Sequence, residues 1–187
     1  AGNWQVMTFT WGYYVDDQRW ANNYSNLWDQ MSPLVDGANK EAVEWYLRTV
    51  YDAHYVRFQE DFGKTIVGFF YDEPDVPADW GAEVSTVLTE RGIDWKKALV
   101  AYKFKLAGEE QIAAKYHYMD AFAEAWGRTM YGGITEWCHK HNVESIGHWI
   151  EHSWCYLTPW FCAGNMFQVL KYTDMGGIDM VCSQILP

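Results

Sequence analysis

Basic residues are scarce in this chain: 14 Lys and Arg stand against 25 Asp and Glu in 187 residues, a net charge of -11. Phosphate recognition needs clustered cations, and these are scattered, which argues against a nucleic-acid partner and, for the same reason, against an anionic membrane surface. Long apolar runs are missing as well. No stretch approaches the roughly 18 residues of a membrane span, so no membrane partner is expected. Cysteine is sparse, and Cys138, Cys155, Cys162 and Cys182 form no CxxC pair, which argues against a zinc ribbon or a dense disulfide framework and leaves the redox state open. Internal repeats, low-complexity segments and linkers are absent too, and a composition of 49% hydrophobic and 21% charged residues fits one folded segment spanning 1-187. Ala1 is neither an initiator methionine nor the start of a signal peptide, so the beginning reads as processed or cut and carries no legible targeting signal.

What is abundant is aromatic: 12 Trp and 13 Tyr exceed what a core needs, because their N–H and O–H groups want partners. Such rings serve as stacking platforms in sugar-binding clefts and serve equally in aromatic-rich cores; Trp11, Trp80 and Trp149 are the candidate platforms. The run TIVGFFYDEP, Thr65 to Pro74, reads as a strand covered on both faces that ends in two acids. An acid at the mouth of a buried strand loses solvation, which suits it to hold a proton near neutral pH, although a polar turn would account for the same residues.

Around this strand the pattern alternates. Trp4 to Trp11 reads as a first strand. Asn39 caps a helix over 40-62 with a stripe at Val43, Tyr46, Leu47, Val50, His54 and Phe58, closed by a left-handed Gly63. Shorter helices are expected over 82-88 and 95-105. A long helix over 109-141 carries Tyr118, Phe122, Trp126, Met130 and Ile134 on one side, with a kink expected at Gly132 and Gly133. Glu144 to Ile150 reads as another strand that again ends in an acid, Glu151; a helix near 165-173 and a strand over 178-183 follow. Strands alternating with helices imply parallel pairing through right-handed crossovers, and hence an α/β sheet or barrel. Acids at the C-terminal ends of barrel strands converge on one cleft, and two facing carboxylates, here Glu73 and Glu151, are the equipment of glycoside hydrolysis. Asp72 would bind a sugar hydroxyl, tune its neighbour or simply cap a turn, and His148 is either a pocket residue for sugar hydroxyls or a satisfied core histidine.

The ordered set EAVEWYLRTVYDAHYVRFQEDFGKTIVGFFYDEP, ERGIDW, ITEWCHKHNVESIGHWIEH and GNMFQVLKYTDMGGIDMV resembles the catalytic barrel of the α-L-rhamnosidase-like glycoside hydrolases, family 106 and its relatives. The resemblance covers about Trp4 to Ser183. It implies a partial (β/α)8 TIM-barrel segment, a carbohydrate substrate, inverting hydrolysis of terminal rhamnose, Glu73 and Glu151 as catalytic pair, and an association with calcium whose ligands do not map onto this sequence. Where the family has PGID, this chain has Gly176-Gly177-Ile178-Asp179, a looser turn that bears on sugar specificity. A barrel takes about 250 residues and eight strands, whereas four strands are read here, so the remainder of the barrel is expected elsewhere in the polypeptide or on a partner chain. A secreted or periplasmic location is the expectation.

Two other readings compete. One is a non-catalytic carbohydrate-binding or scaffold segment, against which the paired acids argue. The other is a zinc metalloprotease, because His148-Trp149-Ile150-Glu151-His152 matches H-x-x-E-H. That chemistry needs both histidines on one face of a helix; on a strand they would stand roughly 13 Å apart. His139 and His141 read as solvated or capping residues, and Cys138 as helix packing.

Overall fold

A computed structural model describes residues 2, 6, 8-10, 35-74, 80-104, 108-148 and 165-179. The chain divides into two units, Ala1–Leu34 and Val35–Pro187, and every element below belongs to the second. Among the described residues no helix is long and apolar enough to cross a membrane.

The helix expected over 40-62 forms in four pieces. Asn39 caps helix α1 (Lys40–Tyr46), its side chain accepting hydrogen bonds from the Glu41 and Ala42 amides at 3.0 and 3.2 Å. A π turn (Leu47–Tyr51), helix α2 (Asp52–Phe58) and a 3-10 turn (Gln59–Asp61) follow. A π turn adds a residue to the helical repeat, so the face presented to the core rotates. Val43 and Leu47 are buried as the stripe predicts, but from the end of the π turn onward the buried positions are Tyr51 and, partly, Tyr55, while His54 and Phe58 are exposed. Gly63 adopts the expected left-handed conformation, φ 71°.

Strand β1 (Gly68–Asp72) leads to helices α3 (Ala82–Glu90) and α4 (Trp95–Lys103), both close to expectation. The long helix is α5 (Glu109–Trp126), a π turn (Gly127–Tyr131) and α6 (Gly132–Lys140). Its irregularity therefore precedes the glycine pair. The π turn begins where Gly127 admits the Tyr172 ring, since a Cβ there would lie 2.7 Å from a ring carbon. The predicted stripe of Tyr118, Phe122, Trp126, Met130 and Ile134 is buried along its whole length. Spacing of four drifts by about 40° per step on a regular α-helix, and the π turn takes up part of that drift.

Strands β2 (Glu144–His148) and β3 (Met175–Gly176), the second preceded by the short helix α7 (Met166–Leu170), complete a parallel sheet of order β1-β2-β3. The register runs from Gly68 opposite Glu144 to Asp72 opposite His148, with Ile146 opposite Met175. The parallel α/β pattern is as expected, but only three strands are found among the described residues. Of the strand expected over 178-183, Ile178 and Asp179 are described and are not in a strand, and 180-183, like most of 4-11, lie outside the described residues; the third described strand is the two-residue β3 just before it. Asp174 binds Ser145 of β2 through both its backbone and its carboxylate and so draws 175-176 alongside.

One face of the sheet meets the helices. Phe69 stacks on Tyr51 and meets Trp137 edge-on, with ring centroids 4.8 and 5.4 Å away, and Tyr71 packs on Tyr131 at 4.8 Å. Trp137 also donates its ring N–H to Asp52 at 2.8 Å, and Cys138 is a free thiol sealed in the core as expected, with burial pushing its pKa up to about 12. Among the described residues the opposite face is open at Phe70 and Met175 and closed at His148. Phe70 and Met175 project there and are exposed, so the expectation of a first strand covered on both faces holds on one face only.

Candidate active site

Parallel pairing places Asp72 and His148 side by side at the C-terminal ends of β1 and β2, on the open face with Phe70 and Ile146. The glycine before the histidine has a steric cause. Tyr71 lies against Gly147 so closely that a Cβ at that position would stand 2.3 Å from the Tyr71 carbonyl oxygen. His148 is thereby held at the mouth, 9% exposed, with its ring 5.7 Å from Phe70.

Two carboxylates meet the two nitrogens of this imidazole. Nε2 is 3.0 Å from Asp72 Oδ1, and Nδ1 is 3.9 Å from Glu73 Oε1. The acids differ in access: the Asp72 side chain is 75% exposed and that of Glu73 28%, with Glu73 Oε1 buried. Glu73 also has φ 42°, a left-handed conformation in a non-glycine residue. Such a backbone costs on the order of 1–3 kcal/mol and persists only where the surroundings fix it. Here the Glu73 amide donates to the His148 carbonyl at 3.2 Å, extending the ladder by one rung, and Pro74, which has no N–H, stops it.

Of the other residues singled out from sequence, Trp80 is partly buried against the core with its ring 5.4 Å from Trp95. Trp11, Trp149 and Glu151 lie outside the described residues. The zinc-protease motif loses its helical setting at its first histidine, since Glu144–His148 is a strand; Glu151 and His152 are outside the described residues. Among the described residues no group of three or more His, Cys, Asp and Glu could hold a metal ion, so no such cluster is available there for the calcium that the resemblance implies.

Sequence reasoning missed two polar clusters. Asp174, at the N-terminal end of the sheet, accepts from the Ser145 amide at 2.9 Å and the Ser145 hydroxyl at 3.2 Å, and pairs with His139 Nε2 at 2.8 Å. Thr135 extends this network to Ser145 and to the Tyr172 carbonyl. The second centres on Glu124, buried on α5, which receives Lys171 at 2.6 Å together with Gln168 and Tyr172, and so ties α5 to the segment that begins with α7. His139 is exposed and pairs with Asp174, and His141 is the C-cap of α6, its Nδ1 2.7 Å from the Trp137 carbonyl and its ring stacked on Trp137 at 4.0 Å, so the expectation of solvated or capping residues holds. No periodic signal marks such partners, because Ser145 and Asp174 are 29 residues apart.

The arrangement defines a class, an α/β sheet of parallel strands with ionisable side chains gathered at its C-terminal edge, where such folds place their reactive groups. A solved structure has a similar fold: the rhamnosidase from Novosphingobium sp. PP1Y, with a TM-score of 0.60 and 20% sequence identity over 77% of this chain. This chain spans only 14% of that one. No protein-family model and no curated protein matches the sequence.

Proposed function

We propose that this chain is a segment of a (β/α)8 barrel in a glycoside hydrolase acting on terminal sugars of the α-L-rhamnoside class. The observation that carries the reading is the pair Asp72 and Glu73 at the mouth of β1, joined to His148 of β2 on the open face of the sheet. The similarity of fold to a rhamnosidase supports it. The apolar side chains on that face, Phe70 and Met175 among them, are what a barrel interior would cover with further strands, from this polypeptide or a partner chain.

In the proposed mechanism Glu73 is the general acid that protonates the leaving oxygen. Its half-buried carboxyl suits a group that must hold a proton. Glu151 is the general base that activates water on the opposite side of the ring, giving inversion, and Asp72, the most exposed of the described acids at the mouth, receives a sugar hydroxyl. Calcium belongs to this reading only through the family resemblance, and no step is routed through it.

The test is hydrolysis of an aryl α-L-rhamnoside by the full-length protein and by its Glu73→Gln and Glu151→Gln variants. Each variant is expected to lose most turnover while retaining sugar binding, and the first product is expected to have inverted anomeric configuration by NMR. Near-normal turnover in either variant refutes the pair; sugar binding without hydrolysis by the wild type points to a carbohydrate-binding segment.

A further inference from the structure

We infer that His148 is a positioning residue whose two ring nitrogens serve different carboxylates, Nε2 fixing the sugar-binding Asp72 and Nδ1 placing the acid Glu73; the inference rests on the glycosidase reading above. A histidine at a pocket mouth would ordinarily be assigned to the substrate. This one is only 9% exposed and has a carboxylate at each nitrogen, 3.0 Å from Nε2 and 3.9 Å from Nδ1. It is therefore turned toward protein groups.

The chemistry of the ring makes the two roles separable. At 3.0 Å from a carboxylate oxygen, Nε2 in the form that carries its hydrogen is placed to donate to Asp72. Nδ1 then meets Glu73 in one of two complementary forms: as a lone pair toward the protonated carboxyl, or as a second N–H toward the ionised one. Both orient the same oxygen, before and after proton transfer. The 3.9 Å separation leaves room for the contact to tighten when substrate closes the site.

The backbone supports the arrangement. The His148 carbonyl accepts from the Glu73 amide at 3.2 Å, so one residue of β2 holds both the main chain and the side chain of Glu73 across the strand end. Tyr71, packed against Gly147, fixes the level of β2 at which this occurs. Asp72 ends β1 and Glu73 follows it with φ 42°, and His148, opposite Asp72 on the neighbouring strand, stands 3.0 and 3.9 Å from the two carboxylates.

Two near-isosteric substitutions separate the nitrogens. The amide nitrogen of Asn reaches about as far from the backbone as Nδ1, and that of Gln about as far as Nε2. In the full-length enzyme, with an aryl α-L-rhamnoside as substrate, His148→Asn is expected to keep kcat within about threefold and raise KM about tenfold, the effect of one lost hydrogen bond to a charged group. His148→Gln should do the reverse, holding KM and lowering kcat about 100-fold, as a misplaced catalytic group does. His148→Ala should lose both.

Asn and Gln variants that match Ala, or a His148→Ala enzyme with unchanged kcat and KM, would overturn the inference. If the variants fail to fold, the ring nitrogens of the wild type are read by NMR instead. Asp72→Asn should then shift Nε2 and Glu73→Gln should shift Nδ1, and resonances that ignore both changes overturn it equally. A wild type that does not hydrolyse the rhamnoside sinks the glycosidase reading and this inference together, whereas an active wild type with undifferentiated variants sinks this inference alone.

Discussion

The two ends of the sheet each carry an aspartate paired with a histidine, at nearly the same distance and with opposite burial. At the C-terminal end Asp72 lies 3.0 Å from His148, with the acid 75% exposed and the histidine 9%. At the N-terminal end Asp174 lies 2.8 Å from His139, with the acid 25% exposed and the histidine 58%. In the second pair the carboxylate faces inward and is used up by protein donors, including a main-chain amide of the fully buried Ser145. In the first, the carboxylate faces outward, and among the described residues its partner is the His148 imidazole. The same two residue types therefore fasten strands at one end and offer a charged oxygen at the other. Their partners decide which.

The comparison breaks most readily at Asp174. Three donors reach its two oxygens: the Ser145 amide, the Ser145 hydroxyl and His139. Asp174→Asn keeps the shape and removes the charge, so the Ser145 amide and hydroxyl lose a charged acceptor and the new N–H2 group meets His139 Nε2, which must present its lone pair to accept it. A loss of about 2 to 3 kcal/mol is expected, read as a lower urea midpoint at unchanged slope. A loss below about 0.5 kcal/mol would mean that the network does not hold β3 to β2.

Acid should expose the same fastenings next. Burial pushes the Glu124 carboxyl up, but hydrogen bonds from Lys171 and Tyr172 and the charges of Lys171 and Arg128 outweigh it, so its pKa lies below the ordinary 4.5. For Asp174, too, burial pushes upward, and the Ser145 amide and His139 hold the carboxyl below 3.8. Groups lowered in the folded state bind protons more readily when unfolded. Their contribution is therefore complete above the ordinary value and is lost as pH falls through the folded one. Stability should be flat above about pH 5 and fall below about pH 4.5, and Glu124→Gln should flatten that fall while removing about 1.5 kcal/mol at neutral pH. An unchanged acid slope in that variant would assign the loss to other carboxylates.

A smaller effect isolates the backbone at the open end. Glu73→Gly and Glu73→Ala both delete the side chain and differ in how readily each adopts φ 42°. In an extended strand Gly is normally the less stable of the two by roughly 0.5–1 kcal/mol. At a left-handed position the order should invert, with Gly about 1 kcal/mol more stable than Ala by chemical denaturation. Equal stabilities would show that the strand end relaxes once Glu73 is gone, and that the strain belongs to its side chain.

How much of this was legible follows from the range of each interaction. Local signals survived: the Asn39 cap, the Gly63 turn, the stripe from Tyr118 to Ile134 and the acid ending of β1 were all readable, because each depends on residues within a few positions. The face of α2 was not, because the π turn at Leu47–Tyr51 shifts the register and no residue in LRTVY announces it. Nor was β3, which is drawn to 175-176 by a carboxylate whose partner lies on another strand. At the candidate site the sequence placed Asp72, Glu73 and His148 at the ends of two strands, and the fold sets Asp72 opposite His148; the pair it singled out, Glu73 with Glu151, lies partly outside the described residues. The sequence left His148 open between a pocket residue and a satisfied core histidine, because its approach to the two acids depends on register, which only the fold supplies.

At the other end of the sheet Asp72→Asn mirrors Asp174→Asn, and its effect on stability should be near zero. Asp72→Asn keeps an oxygen for His148 Nε2 and turns the new N–H2 group toward solvent, because the side chain is 75% exposed. Water replaces whatever the carboxylate loses, and exposed pairs contribute about 0 to 1 kcal/mol, so a change below about 0.5 kcal/mol is expected in the same urea experiment that registers Asp174→Asn. If Asp72 receives a sugar hydroxyl as proposed, the cost appears in binding instead: KM for the rhamnoside should rise about tenfold with folding stability intact, the worth of one charge-assisted hydrogen bond. A stability loss comparable to that of Asp174→Asn would make both ends of the sheet fastenings, and a substrate affinity unchanged by Asp72→Asn would leave the exposed carboxylate without the role proposed for it.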